Sequence, residues 1–509
     1  MASSPLIIDT PTTRAPRARA PVDASSVKRM FALSMIAVPL MVLGAMLALG
    51  VSVPETVLCV SGVISLLFCL APVVLSPGRF DVFHPCMFIA LSVGVATTWK
   101  SFYLCFGKSP AIADLLDGDR AEAMLPGAAL ILVGVLCLCV GYFLASHGIR
   151  LRSRMLEYFS SLNLHDRRLR VLSVFVLVLA AAGTADMLRK TGGLSVGSLH
   201  DLSKKRRAEV QSNDSGKRFA SLGYNALVGH TLPSVVFLTL LARQVSQGFP
   251  RRGRMWLVVV AAGACAYPVL TSSRSSLLLL AINAMVLLNL ARMLTLRGVL
   301  IAAVLGGTGF VAMKQIRSSG AERASAEEGF VDSLLGRRNL CCVVKTTGIY
   351  EAAGDRFDYF YGSTFGRWVV APVPRTAWPA KPPVTIGSEL TEMVLGRENP
   401  VGGGMPPGLI GELILNFGAI GVPIGCLVYG VLLAVYYYTL RPYAQASAVG
   451  AMIYVLTLTP VTHLVFSSEF SRAVIEMLTS LVCLAPILFF ATTRPTGPPP
   501  PTEATPAPA

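Results

Sequence analysis

With 53% hydrophobic and only 14% charged side chains over 509 residues, and a mean hydropathy of +0.62, the chain is too apolar for a soluble protein of its length. A formal net charge of +16 would invite nucleic acid in a soluble chain, but here it is first divided between the two faces of a bilayer, and no nucleic-acid partner is implied. Eleven cysteines fall mostly inside apolar runs without CxxC or Cys/His spacing, which predicts neither a zinc site nor a disulfide framework.

Residues 1–29 are a polar, Pro- and Ala-rich basic tail carrying Arg14, Arg17, Arg19, Lys28 and Arg29, expected to be disordered and cytoplasmic. The apolar run from Met30 to Gly50 is long enough to span a bilayer and lacks a cleavage site, so it reads as a retained first helix. Further apolar segments follow near 54–76, 82–106, 124–147, 171–188, 222–243, 255–271, 275–294, 298–314, 408–438, 446–466 and 473–491, about twelve in all. The expected fold is therefore all-α, a polytopic helical membrane protein over residues 30–491. A Pro-rich tail, 492–509, has nothing to bury and is also expected in the cytoplasm.

Alternating sides from a cytoplasmic amino terminus puts the first tail, Arg79, Arg150 to Arg170, Arg243 to Arg254, Arg292 to Arg297, Arg441 and the last tail inside. That set holds about 20 Lys/Arg against about 6 Asp/Glu, and the remainder about 24 against about 22, as positive charge retained in the cytoplasm requires.

Two long connections then fall outside, residues 189–221 and 315–407. The first holds Arg206 and Arg207 among eight basic residues on the side where positive charge is normally scarce, which points to an anionic ligand such as phosphate; the other reading is a solvated amphipathic helix beside lipid headgroups. The second begins with a charged piece, Gln315 to Arg338, expected as helix, and ends in a Pro/Gly-rich stretch from Tyr361 to Val422. There Pro372, Pro374, Pro379, Pro382 and Pro383 fix backbone geometry, while Gly402 to Gly404 permit close approach. Arg375, Trp378 and Lys381 bring a cationic fork, an aromatic face and a point charge into a few residues, a set suited to a sugar phosphate or to packing a re-entrant lid.

The runs YGSTFGRWVVAPVPRTAWPAKP and PPGLIGELILNFGAIGVPIG resemble the Wzy-type oligosaccharide repeat unit polymerases, or O-antigen polymerases. The likeness lies in Pro374, Arg375, Trp378, Lys381 and Pro382, in Pro407, Gly411, Glu412, Asn416, Phe417, Gly418 and Gly421, and in the Ser-Arg turn Ser272 to Ser276. It implies a GT-C-like membrane glycosyltransferase of the bacterial inner membrane. Its substrate would be an undecaprenyl-pyrophosphate-linked oligosaccharide, transferred with inversion onto the sugar hydroxyl of another lipid-linked repeat unit, with membrane lipid, a flippase and a chain-length regulator as partners.

Such a reaction asks the protein for positive charge around a departing pyrophosphate and for alignment of the acceptor hydroxyl. Arg375 and Arg274 are the expected pyrophosphate ligands in catalysis, with Arg206, Arg207, Arg367, Trp378, Lys381 and Asn416 as substrate-binding residues. Glu412 and His463 are the candidate general bases; the competing readings are a helix-end charge and a packing histidine. The outer acidic group Asp114, Asp117 and Asp119 reads as a solvated loop, so metal-independent chemistry without a cofactor is expected. A ligase moving the same glycan to another acceptor shares this layout, while a non-enzymatic transporter of lipid-linked glycan would be expected to show internal repeats that the sequence lacks.

Overall fold

Local chemistry starts several of the helices. Glu55 reaches back to the backbone N–H of Ser52 (3.3 Å), Pro85 occupies a first-turn position while the His84 ring accepts from Cys86 N (3.1 Å), and Ser447 accepts from Gly450 N (3.0 Å). The computed structural model describes residues 24–76, 81–106, 120–146, 151, 153–191, 227–247, 250–271, 273–294, 298, 342–373, 377–395 and 404–493.

In chain order these residues form α1 (Ala24–Ala48), α2 (Val53–Leu75), α3 (Pro85–Phe106, with a π-helical turn at Gly94–Trp99) and α4 (Leu125–Ser146). The short α5 (Arg154–Ser161) precedes α6 (Asp166–Thr191), α7 (Leu232–Ser246), α8 (Arg251–Leu270) and α9 (Arg274–Leu290). Then come α10 (Cys342–Ala352), α11 (Gly387–Leu395), α12 (Gly408–Ala446), α13 (Ala448–His463) and α14 (Phe470–Ala491). An antiparallel pair joins β1 (Asn163–Leu164) to β2 (Thr492–Thr493).

Among the described residues eight helices are long and apolar enough to cross a membrane, with two shorter apolar helices, Ser275–Leu290 and Ala448–His463. The protein is an all-α, multi-pass membrane protein. The expected segment 298–314 lies, beyond residue 298, outside the described residues, as do 192–221 of the first long connection, 222–226 at the start of the expected span 222–243, and 299–341 ahead of α10. One expected span is corrected. The apolar run 408–438 is not a straight helix, because Gly418 interrupts α12 with φ 68° and ψ −166°.

Among the described residues two large apolar cores hold the bundle: one gathers α2, α3, α4, α10 and α12, the other α6 to α9 with α13 and α14. Lipid tails are as apolar as leucine, so close backbone approach rather than hydrophobicity must bind helix to helix. The α4–α12 crossing meets that need with glycine on both sides. A Cβ on Gly141 would stand 2.0 Å from Leu427 O, and one on Gly430 2.0 Å from Leu138 O.

Cross-links between distant segments fix which helix ends share a side. Asp81 pairs with Arg441 (2.9 Å) and accepts from Tyr437 (3.0 Å) and Asn289 (3.4 Å); Arg243 pairs with Asp166 (2.8 Å); Leu151 N donates to Thr439 (3.3 Å); and β1 meets β2. The connections around Asp81, Leu151 to Asp166, Arg243, Asn289, Arg441 and Thr492 therefore gather at one end of the bundle. At the other end Gly127, near the start of α4, abuts Val343 O and Thr347 of α10. The described part of 353–407 folds at that end as a short helix, Ser363–Gly366, a 3-10 turn, Arg367–Val370, and α11.

Candidate functional site

The break at Gly418 turns the first part of α12 into a separate half-helix. Residues 408–416 are buried throughout, which an ordinary lipid-facing span would not be. Its backbone start is satisfied by the turn after α13: Gly408 N donates to Ser468 O (3.0 Å) and Leu409 N to Leu464 O (2.8 Å). Past Gly418 the chain doubles back. A Cβ on Gly134 would lie 3.1 Å from Ile410 and 3.2 Å from Cys426, so both limbs rest on one point of α4, and Leu413 fills the space above Gly425. The combination φ 68°, ψ −166° is open in practice only to glycine.

One turn apart on this half-helix, Glu412 and Asn416 share a face. Both are buried, and both are fully engaged. Glu412 Oε1 accepts from the Thr364 hydroxyl (2.9 Å) and Oε2 from Phe470 N (2.7 Å). Asn416 donates to Thr364 Oγ1 (2.7 Å) and to Glu412 O (2.7 Å), and its Oδ1 accepts from Gly362 N (2.8 Å). Ser471 closes the ring, donating to Thr364 O (2.7 Å) and accepting from Trp368 N (3.1 Å). The half-helix thus clamps two segments at once, the loop at 362–368 and the start of α14.

A second set of contacts fastens the rest of the loop. Glu469 accepts from Ile386 N (2.7 Å) and Gly387 N (3.1 Å), and burial holds its carboxyl above the ordinary range despite those two donors. Arg367 donates to Pro383 O (3.1 Å), pairs with Glu389 (3.4 Å) and lies over the Phe360 ring. Lys381 donates to Ala371 O (2.9 Å) and Val373 O (2.8 Å). The outer surface of this assembly is aromatic. Tyr361, held at φ 47°, is 79% exposed, Phe417 stacks on Phe365 with its own face half exposed, and Trp378 is exposed.

Of the expected site residues, then, Glu412 and Asn416 meet in one network, while Arg367 and Lys381 act as fasteners of the adjoining loop. Trp378 stands on its surface. His463 ends α13, half-buried, near Arg472 and Glu476, which pair with each other at 2.8 Å. Arg274 opens α9 with its side chain outside the described residues, and Arg375, Arg206, Arg207 and the acidic trio Asp114, Asp117 and Asp119 lie wholly outside them. Thr364, Ser471 and Glu469 complete the network without a distinctive sequence pattern; only the Glu412/Asn416 spacing announces it. Among the described residues no group of three or more His, Cys, Asp or Glu side chains is arranged to hold a metal ion. No family model, no curated protein and no solved structure matches this chain.

Proposed function

We propose that the protein is a membrane glycosyltransferase that polymerises undecaprenyl-pyrophosphate-linked oligosaccharide repeat units into a surface polysaccharide. In this reading it has a GT-C-like bundle of about twelve spans in the bacterial inner membrane, both termini cytoplasmic, and works on the outer face. The observation that carries the proposal is the joining of the two motifs of the resemblance. The Pro407-to-Gly421 motif forms the buried half-helix, and that half-helix holds the loop bearing Arg367, Arg375, Trp378 and Lys381 at the end of the bundle opposite the basic connections.

The division of labour follows from which groups are already engaged. Glu412, with both oxygens taken by donors, positions the loop rather than accepting a proton from substrate. Exposed Tyr361, Phe417 and Trp378 offer flat faces to sugar rings. Arg375 and Arg274 supply charge to the leaving pyrophosphate, which departs as a stabilised anion and needs no metal for that purpose. His463, half-buried, with its carbonyl taken by Ser467 (3.0 Å from N, 3.1 Å from Oγ) and its ring beside Arg472 and Glu476, is the group left to take the acceptor hydroxyl's proton as the inverting attack proceeds.

Purified protein given only lipid-linked repeat units and a chelator is expected to produce a ladder of chain lengths. Activity that requires added magnesium would overturn the metal-independent mechanism, and transfer solely to a different acceptor would replace polymerase by ligase. Orientation has its own test in a cysteine-depleted background. Ser363→Cys should react with a membrane-impermeant maleimide in intact cells and Ser161→Cys only after lysis; both positions are exposed, so the reverse pattern would invert the topology.

A further inference from the structure

Two thiols 46 residues apart in sequence meet where α2 begins and α3 ends. Cys59 Sγ lies 3.5 Å from Cys105 Sγ, and Cys105 Sγ also lies 3.7 Å from Glu55 O. The backbones approach closely just below: Thr98 donates to Gly62 O (2.8 Å), and a Cβ on Gly62 would stand 3.0 Å from Thr98 Cα. Closing a disulfide needs the sulfurs to move to about 2.05 Å, a change that side-chain rotation supplies when the helices already touch.

The position along the helices matters as much as the distance. Asp81, just beyond the end of α2, pairs with Arg441 at one end of the bundle, whereas α4 starts beside α10 at the other, so α2 and α4 run in parallel and touch where Cys139 donates to Phe68 O (2.8 Å). Since Gly127 near the start of α4 abuts α10, the start of α2 lies at the same end, the one that carries the loop of 353–407. On the orientation proposed above, that end faces an oxidising compartment.

We infer that Cys59 and Cys105 form a disulfide that ties α2 to α3 at the outer end of the bundle. The inference rests on the outward orientation of that end. The co-reactant is a disulfide donor of the outer compartment, a thiol–disulfide oxidant. Partly exposed Cys105 meets it first: the Cys105 thiolate, its proton lost to water, attacks one donor sulfur and expels the other as a thiolate. Fully buried Cys59 then gives up its proton and attacks Cys105 Sγ, releasing the donor as a dithiol. The donor is reduced by two electrons, and the two cysteines are oxidised by two. The bond would fix the outer end of α3, one turn beyond the completely buried Lys100.

The test compares two samples of the full chain. Cells are quenched in acid, denatured and alkylated without reductant, and the protein is digested and mapped by mass spectrometry; in parallel, purified protein is reduced and then exposed to oxidised glutathione in detergent. Both samples should yield the cross-linked Cys59–Cys105 peptide, lost on reduction, with alkylation of both cysteines near zero. Cys59→Ser and Cys105→Ser should each leave the other thiol fully alkylated, which excludes a different partner. Free thiols in both samples would overturn the pairing itself. A cross-link in detergent with free thiols in cells would leave the geometry standing and overturn the outward orientation, and with it the disulfide in the living cell.

Discussion

Glu412→Gln should accumulate in the membrane and polymerise nearly as the parent does, whereas Glu412→Ala should accumulate poorly. In the parent, Glu412 satisfies the Phe470 N–H and the Thr364 hydroxyl inside a buried ring. The glutamine carbonyl can take the Phe470 N–H, and its amide can donate to Thr364 Oγ1, which leaves only the Thr364 hydrogen to be redirected, a loss of about 1 kcal/mol. Alanine strands both donors in the bundle, at about 1–3 kcal/mol each, and leaves a cavity beside them. Against a total stability on the order of 5–15 kcal/mol, that is enough to lower abundance several-fold. Detergent size-exclusion of the membrane protein and a gel of polymer length measure the two effects separately. A glutamine variant present at parental level but inactive would mean that Glu412 exchanges a proton with substrate, and the positioning role would be withdrawn.

Hydropathy made most of the bundle legible, because a helix crossing lipid must be apolar along its whole length whatever it packs against. The same property concealed the half-helix. Residues 408–438 are apolar apart from a few polar residues such as Glu412 and Asn416, and a re-entrant segment buried in protein has the same hydropathy as one that crosses; glycines such as those at 411, 418 and 421 mark the reversal. Lys381 stood in a set readable either as a phosphate site or as the packing of a lid, but the carbonyls it serves were not legible. Proline at 372 and 374 cannot donate backbone N–H groups, so this turn is short of donors, and the Lys381 ammonium serves its Ala371 and Val373 carbonyls. Glu412 and Asn416 were legible as members of one motif, but their long-range partners lie 48 to 58 residues away through contacts that no local pattern encodes (364 to 412, 412 to 470). Cys59 and Cys105 belong to the same class: their meeting depends on the register of α2 against α3, which composition leaves open.

Lys substitutions at Arg274 and Arg375 should abolish long polymer while leaving the protein at normal abundance. Arg274 is the first residue of α9, directly after Ser273, and Asn289 at the far end of that helix donates to Asp81. Fifteen residues of helix separate them, about 22 Å, which sets Arg274 at the end of the bundle that carries the 353–407 loop. A cation at a helix N-terminus is opposed by the helix dipole, and one in or near the bilayer costs on the order of 2.5–3.5 kcal/mol if it meets no partner. Both penalties are relieved by an anion, and a pyrophosphate would be held by the arginine fork together with the open N–H groups of the first turn. If Arg274 instead served only the carbonyls that end α8, a lysine would reach them equally well and polymer would persist. The same contrast applies to Arg375, where a fork that grips phosphate is lost on change to lysine but a merely solvated charge is not. Single-repeat product at parental abundance from both Lys variants is the expected result, and it identifies polymerisation as the step lost. Long polymer from both would remove the arginines from the pyrophosphate site, and failure of the Ala variants alone, with reduced abundance, would return them to a structural role.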